Sequence, residues 1–83
     1  MNADQIRAAI LDALGNVAPE LDPASLDPRQ DLRSQLDLDS MDFLNFVVGL
    51  HKAFAIEIPE ADYRKLATLE GCIAYVTARM PPA

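Results

Sequence analysis

The sequence predicts an all-α fold, a bundle of four helices of which three are long and one is short. Apolar residues recur every three or four positions in three separate stretches, which is the period of an amphipathic helix. The one alternating stretch, residues 56–58, is too short to form a sheet. Because 83 residues suffice for only one small core, we expect a single domain over residues 1–83.

The first helix is predicted over residues 3–17. Asn2 or Asp4 can cap its N-terminus, and Pro19 prevents it from continuing. One face of this helix is apolar and is expected to pack against the core. The residues of that face are Ile6, Ile10, Ala13, Leu14 and Val17.

A long loop is predicted over residues 18–39, because three prolines alternate there with aspartates, a composition that favours turns. Loops of this length are usually functional or held in place by contacts with the core. A short helical turn is expected around residues 33–36. The residues expected to anchor the loop are Leu21, Leu26, Leu32, Leu36 and Leu38.

The second helix is predicted over residues 40–54, with Asp39 or Ser40 as its cap. Its spacing gives two apolar faces. The face expected in the core carries Phe43, Phe46, Val47, Leu50 and Phe54. A second strip either forms the margin of that buried face or stays partly exposed and contacts partner proteins, and we favour exposure. The residues of this strip are Met41, Leu44 and Val48.

Two further helices are predicted in the last third of the chain. The third covers residues 59–66, with Pro59 in its first turn, where proline is tolerated. The fourth covers residues 69–80 and follows Thr68 as its cap. Cys72 lies on the apolar face of this helix and is expected in the core.

Three residues of the second helix lie outside its apolar faces. The spacing places Gly49 on the polar side of the helix, and two explanations stay open for it, namely close approach of another helix or a partner, and drift at a tolerant position. His51 and Lys52 are expected to be solvated.

Composition excludes several classes of protein. Thirteen Asp and Glu against seven Lys and Arg give a formal charge of −6. This charge argues against binding to nucleic acid or to anionic membranes, and it favours binding to a partner with a basic surface. One cysteine and one histidine leave no disulfide framework, and we expect no metal site. Because neither a membrane-spanning run nor a targeting segment is evident, we expect a cytoplasmic protein.

The segment Asp39-Ser40-Met41-Asp42 has two interpretations. In the first, Asp39 or Ser40 simply caps the helix. In the second, Ser40 is a modification site, since the free N–H groups and the dipole of a helix N-terminus favour an attached phosphate. Asp39 and Asp42 oppose the second by repelling an anion, unless a divalent cation bridges them to it. No histidine lies near Ser40 in the sequence, so a partner enzyme would have to activate its hydroxyl.

An ordered set of motifs resembles the acyl carrier proteins, a family of four-helix modules that bear phosphopantetheine. The family pattern is Asp-Ser-Leu at the start of the second helix, a Phe that closes it, an Ile-Glu-Ile-Pro entry to the third helix and a Thr that begins the fourth. The Asp-Ser pair alone is weakly specific, whereas the ordered set is strongly specific. In this chain the set is Asp39-Ser40-Met41, Phe54, Ile56-Glu57-Ile58-Pro59 and Thr68, at matching separations.

The resemblance implies a carrier and not an enzyme. A phosphopantetheinyl transferase would attach 4′-phosphopantetheine from coenzyme A to Ser40, and the thiol of this arm would hold acyl groups as thioesters. The implied partners are that transferase and the acyl-loading and acyl-processing enzymes, and the chain is expected to be a monomer. Candidate residues for docking these partners are Asp39, Met41, Asp42, Leu44 and Val48.

The second helix departs from the pattern of carriers that serve fatty acid synthesis. Those carriers usually place glutamates on its exposed side, where this chain has Asn45, His51 and Lys52. We therefore expect a specialised fatty acid, lipid or polyketide pathway. Two alternatives stay open, namely a D-alanyl or peptidyl carrier with the same arm, and an unmodified helical interaction module. Peptidyl carriers usually have two glycines before the serine, so residues 36–39 favour the acyl branch.

Overall fold

The computed structural model describes residues 1–80, which contain four α-helices, one 3₁₀ helix and no β-strand. The all-α prediction is therefore confirmed, with one more helix than expected, because a short helix forms inside the predicted loop. No helix in this range is long and apolar enough to cross a bilayer. In chain order the helices are α1 (Ala3–Val17), α2 (Leu32–Gln35), α3 (Ser40–Phe54), the 3₁₀ helix (Glu60–Leu66) and α4 (Leu69–Arg79).

Side-chain caps set where α1 and α3 begin. Asn2 Oδ1 accepts from the backbone N–H of Gln5 at 2.8 Å, and Gln5 Oε1 accepts from the N–H of Asn2 at 2.9 Å. At α3, Asp39 accepts from the N–H of Asp42 at 2.7 Å. Each cap satisfies N–H groups that a helix terminus leaves without partners and is worth about 1 kcal/mol. Asn2, and not Asp4, is therefore the cap of α1.

The core forms where the apolar faces of α1, α3 and α4 meet. α1 packs against both α3 and α4, and the 3₁₀ helix packs against α4. The predicted core face of α3 is buried, and full burial of such a side chain contributes about 1.5–3 kcal/mol. This face therefore fixes the position of α3 and of its N-terminus. The largest fully buried side chains are Phe46, Ile10, Leu14, Leu32, Leu50, Leu66, Leu69, Val76 and Cys72.

Backbone hydrogen bonds hold the loop between α1 and α3 against the start of α4. The N–H of Leu32 donates to the carbonyl of Ala67 at 2.7 Å, and the N–H of Glu70 donates to the carbonyl of Pro28 at 2.9 Å. Asp31 caps α2, which begins one residue before the predicted turn. The five leucines predicted to anchor the loop are all buried or partly buried, namely Leu21, Leu26, Leu32, Leu36 and Leu38.

A left-handed residue and a histidine end α3. Ala55 has a φ of 54°, a conformation in which glycine is usual at the end of a helix. Nδ1 of His51 lies 2.6 Å from the carbonyl oxygen of Ile56. Because a carbonyl only accepts, the ring nitrogen donates the proton. His51 is exposed, as predicted, but its ring has a further role that was not predicted, since it ties the last turn of α3 to the segment that follows.

Three helical positions differ from the predictions. Pro59 has extended backbone and precedes the 3₁₀ helix, so it is not in the first turn. α4 ends at Arg79, one residue early. Gly49 is half-buried and faces α1, where an added methyl group would lie 3.5 Å from the Cβ atom of Ala13. The side of α3 that carries Gly49 is therefore packed and not purely polar, and the close approach of another helix, one of the two explanations considered for this glycine, is confirmed.

Candidate functional site

Ser40 is the first residue of α3, and it is exposed. The cap of α3 is Asp39, whose carboxylate accepts from the N–H of Asp42 at 2.7 Å. The carboxylate of Asp42 accepts in return from the N–H of Asp39 at 3.3 Å. Of the two residues that could have capped the helix, only Asp39 does so, which leaves the hydroxyl of Ser40 available for other chemistry.

The hydroxyl of Ser40 differs from those of the other two serines in its hydrogen bonding. Ser25 and Ser34 donate to nearby aspartate carboxylates at 2.9 and 3.0 Å. Oγ of Ser40 instead accepts from Nη2 of Arg33 at 3.3 Å, and no side chain within residues 1–80 accepts its proton. A guanidinium cannot act as a base because it has no lone pair to accept a proton. The chain therefore presents this hydroxyl without activating it.

Arg33 is a residue of this site that the sequence analysis did not identify. It lies in the last turn of α2, and its guanidinium carbon is 5.9 Å from the centroid of the Phe43 ring. In the part of the chain that the structure describes, it forms no ion pair with a carboxylate. Arg33 lies seven positions before Ser40, a separation that predicts no contact when the intervening chain is a loop.

The α3 strip, defined as Met41, Leu44 and Val48, is exposed beside Ser40. The exposed fractions of the three residues are 63%, 39% and 39%, whereas Phe43, on the core face of the same helix, is only 9% exposed. The predicted exposure is confirmed, and the alternative that the strip is the margin of a buried face is wrong. Exposed apolar residues that adjoin one another are typical of a contact surface.

Few charges surround the α3 strip. Asp42 is the only acidic residue within α3, and its carboxylate takes part in the cap. Besides Ser40, the exposed polar residues of α3 are Asn45, His51 and Lys52. The exposed side of α3 is therefore mostly apolar and neutral, although the chain as a whole has a formal charge of −6.

A surface cavity of about 600 Å³ lies between the end of α1 and the loop that follows it. Val17, Leu21 and Asp37 contribute to its lining, but Ser40 and the α3 strip do not. This cavity is therefore not part of the site at Ser40.

Cys72 is in the core, as predicted, and its thiol donates to the carbonyl of Leu66 at 3.3 Å. Burial raises the pKa of this thiol to about 12. Since the thiolate is the nucleophilic form, Cys72 is inert at neutral pH. Within residues 1–80, no three His, Cys, Asp or Glu side chains lie close enough together to hold a metal ion.

Comparison with known proteins gives consistent results. The family model described as "Phosphopantetheine attachment site" matches residues 4–76. An acyl carrier protein of Rubrobacter xylanophilus is 32% identical over 56 residues, which cover 68% of this chain and 69% of that protein. An acyl carrier protein of Helicobacter hepaticus is 29% identical over 75 residues, which cover 90% of this chain and 92% of that protein.

The fold has a solved counterpart. The solution structure of a protein assigned as an acyl carrier protein from Anaplasma phagocytophilum superposes with a TM-score of 0.84 over 100% of this chain and 97% of that one. At 24% identity, this likeness shows the shared helical fold alone. Taken with the family match over most of the chain, the sequence relatives show that this chain belongs to the acyl carrier proteins, which bear a phosphopantetheine attachment site and are carriers and not enzymes.

Proposed function

We propose that Ser40 is the attachment residue and that the chain carries acyl intermediates for partner enzymes. The prosthetic group of the family is 4′-phosphopantetheine, whose terminal thiol holds acyl groups as thioesters. The observation that carries the proposal is the exposed hydroxyl of Ser40 at the N-terminus of α3, directly after Asp39. Because Asp39 performs the capping, the alternative in which Ser40 serves only as a cap loses its support.

The residues around Ser40 fit a covalently attached phosphate. The side chain is exposed, so a group on Oγ extends into solvent and needs no preformed cavity. A helix N-terminus favours an anion, and Arg33 adds a cation 3.3 Å from Oγ. The carboxylates of Asp39 and Asp42 repel an attached phosphate, but each already accepts a hydrogen bond from the other residue's backbone N–H group.

Attachment requires a base that this chain does not supply. Oγ of Ser40 would form a bond to the pantetheine-bearing phosphorus of coenzyme A, the pyrophosphate bond would break, and 3′,5′-ADP would leave. The hydroxyl proton must then pass to the transferase, because Arg33 cannot accept it. His51 lies about 16 Å further along α3, from the helical rise of about 1.5 Å per residue. Its Nδ1 is also engaged by Ile56.

The test of attachment is the intact mass of the protein before and after incubation with coenzyme A, Mg²⁺ and a broad-specificity phosphopantetheinyl transferase. We expect a gain of one phosphopantetheine, absent in Ser40→Ala and retained in Ser34→Ala. Ser34 is a matched control because it is also exposed and also lies in a helix preceded by a capping aspartate. A folded wild-type protein that gains no mass would contradict the proposal and favour an interaction module.

We propose that partner enzymes dock on the surface formed by Asp39, Met41, Asp42, Leu44 and Val48. The exposed α3 strip supplies apolar area next to Ser40, and the two aspartates suit basic residues on the partner. Leu44→Asp is expected to raise the KM of the transferase for this chain about tenfold, the effect of losing about 1.4 kcal/mol of contact. Asn45→Asp is the control, since it adds the same charge at the neighbouring exposed position; an equal effect of both variants would reject docking through the strip.

We propose a specialised fatty acid, lipid or polyketide pathway for this carrier. Asn45 and Lys52 are exposed on α3, and Asp42 is its only acidic residue, so docking is less ionic than on a glutamate-rich helix. Binding to a ketosynthase of general fatty acid synthesis is therefore expected to be weak and to depend little on salt. Affinity equal to that of a glutamate-rich carrier, with an equally steep loss in salt, would argue for the general pathway. Loading with an amino acid by an adenylating enzyme would favour the D-alanyl or peptidyl alternative.

The chain is further proposed to act as one carrier domain over residues 1–83, as a monomer in the cytoplasm. The acidic composition supports the monomeric state, because a net charge of −6 opposes self-association. Sedimentation equilibrium of the apo and modified proteins tests the monomeric state.

A further inference from the structure

We propose that Arg33 binds the phosphodiester of the prosthetic group and holds the base of the arm against α2, an inference that rests on attachment at Ser40. Nη2 of Arg33 already lies 3.3 Å from the oxygen that would become the ester oxygen. A phosphodiester on this oxygen places two non-bridging oxygens, which share one negative charge, two bonds beyond Oγ. A guanidinium can donate to such oxygens through two N–H groups at once.

A cation beside Ser40 would offset the negative charge at the N-terminus of α3. Asp39 and Asp42 already bring two carboxylates to the first turn, and an attached phosphodiester adds a third negative charge. The N–H groups of Asp39 and Asp42 are taken up by the reciprocal cap, at 3.3 and 2.7 Å, and are not free to bind phosphate. Arg33 is the basic side chain in contact with Ser40, so it can offset this repulsion.

The helix that carries Arg33 is held in position, and its guanidinium has no carboxylate partner among the described residues. Leu32, its neighbour in α2, is fully buried and donates to the carbonyl of Ala67 at 2.7 Å, which fixes α2 against the body of the molecule. The guanidinium lies 5.9 Å from the ring centroid of Phe43, within reach of a cation–π contact. Within the described residues it has no carboxylate partner, whereas Arg29 in the same loop pairs with Glu70 at 3.4 Å.

The expected consequence is that Arg33 fixes the position of the base of the arm. With its phosphodiester bound, the first bonds of the arm lose rotational freedom, and the thiol end explores a smaller region around α2 and the α3 strip. Arg33 is in this sense a positioning residue, and it takes no part in the transfer chemistry.

The test compares apo and modified protein for the wild type, Arg33→Gln, Arg33→Lys and Arg29→Gln. Arg29→Gln is the matched control because it removes the same charge from the same loop, and the side chain is exposed like that of Arg33. Intact mass first verifies attachment on each variant. Thermal unfolding of both forms and ³¹P NMR linewidths of the modified forms then report on the phosphodiester directly, without any partner enzyme.

Arg33→Gln is expected to lower Tm by about 2–4 °C more in the modified protein than in the apo protein, and to narrow the phosphorus line. Arg33→Lys is expected to be intermediate, since it keeps the charge but loses the two-pronged geometry. Arg29→Gln should change both forms equally. If every variant is modified but Arg33→Gln behaves like Arg29→Gln, the function of Arg33 is rejected while attachment stands. If the wild type gains no phosphopantetheine, both proposals fall.

Discussion

Cys72 is the one thiol encoded in the sequence, and the core keeps it protonated. Burial raises its pKa from the ordinary value of 9.0 to about 12. Because the folded-state pKa lies above the unfolded one, the thiol contributes to stability in full below pH 9.0, and this contribution is lost as the pH rises through about 12. The free energy of unfolding should therefore fall in alkaline solution.

The same burial makes thiol reactivity a measure of modification. We expect apo protein to react with a disulfide reagent at about pH 8 only as fast as it unfolds, because the thiolate of Cys72 is neither formed nor accessible. Modified protein should show one additional fast equivalent from the arm. Cys72→Ala provides the control, since it should lack the slow equivalent and keep the fast one. A fast equivalent in apo protein would show that Cys72 is accessible.

Gly49 and Gly71 are both helical but respond to a methyl group in opposite ways. A Cβ atom at Gly71 would lie 2.5 Å from the carbonyl oxygen of Lys65, closer than such atoms can approach. Gly71→Ala should destabilise the protein by about 1–2 kcal/mol, the cost of overpacking less the gain in helix propensity. At Gly49 the nearest atom is the Cβ of Ala13 at 3.5 Å, an ordinary contact. Gly49→Ala should therefore stabilise by about 0.5–1 kcal/mol. Urea unfolding of the two variants measures the sign of each change in the free energy of unfolding. Destabilisation by Gly49→Ala would contradict the contact geometry.

Residue positions along one helix could be predicted from the sequence, but contacts between segments could not. Exposure of the α3 strip follows from the angle of each residue around the helix axis, which the spacing determines. The contact between Arg33 and Ser40 depends on the path of the loop, which tertiary hydrogen bonds to Ala67 determine. The bond from His51 to Ile56 depends in the same way on a left-handed turn at Ala55, where no glycine signals it.

At the scale of secondary structure, the C-terminus of α3 carries strain. Ala55 adopts a φ of 54°, and the left-handed conformation costs a residue with a Cβ atom about 1–2 kcal/mol. We expect Ala55→Gly to stabilise the protein by about 0.5–1 kcal/mol, because glycine removes this cost but loses more entropy on folding. Chemical unfolding measures the change, with Ala53→Gly as the control. Ala53 lies inside α3 and is exposed, so its replacement should destabilise by about 1 kcal/mol. Destabilisation by Ala55→Gly would mean that the left-handed turn is not strained.

Asp62 joins the 3₁₀ helix to α4 through one carboxylate. The hydroxyl of Tyr75 donates to it at 2.7 Å, Arg79 lies 3.4 Å from the same oxygen, and Lys65 lies 3.3 Å from the other oxygen. The hydrogen bond from Tyr75 does most to hold the pKa of Asp62 below its ordinary value of 3.8, and Lys65 and Arg79 add to this against the opposing effect of burial. This role of Tyr75 was not predictable from the sequence, because its partner lies in another helix.

The pKa of Asp62 predicts how this contact depends on pH. Its folded-state pKa is depressed, so the contribution to stability is present in full above pH 3.8 and is lost as the pH falls through the lowered value. Asp62→Asn should therefore be less stable than wild type at neutral pH, and the difference should shrink below about pH 3.8. Tyr75→Phe is the companion variant, since it removes the hydrogen bond and keeps the ring. A difference between Asp62→Asn and wild type that is constant with pH would show that the carboxylate charge does not contribute.

Element boundaries were predictable wherever a helix has a strong apolar period. α1 and α3 begin and end where the spacing and the flanking prolines, caps and polar residues indicate. α2 could be expected only as a turn, because four residues are too few to show a period, and it forms through the Asp31 cap and the burial of Leu32. The 3₁₀ geometry of Glu60–Leu66 was not predictable either, since its apolar spacing also fits a short α-helix.

At the scale of the whole molecule, unpaired negative charge opposes folding. The chain has a formal charge of −6, and residues 1–80 contain three ion pairs, of which two share Asp62. The molecule measures 33 × 27 × 20 Å. The Debye length is about 30 Å in 0.01 M salt and about 8 Å in 0.15 M salt. Charges across the entire protein therefore repel one another at low salt, but only near neighbours do so at physiological salt.

This repulsion makes stability depend on ionic strength. We expect Tm at neutral pH to rise by about 4–8 °C between 0.01 and 0.15 M NaCl, which corresponds to relief of about 1 kcal/mol of repulsion in a domain of this size. Modification at Ser40 adds a negative charge beside Asp39 and Asp42, so the rise should be larger in modified protein than in apo protein. The control is the same titration near pH 4.4, the isoelectric point, where the net repulsion vanishes and Tm should change little. A Tm that falls with salt at neutral pH would show that the ion pairs of Asp62 and Glu70 outweigh the general repulsion, because screening would then remove more attraction than repulsion.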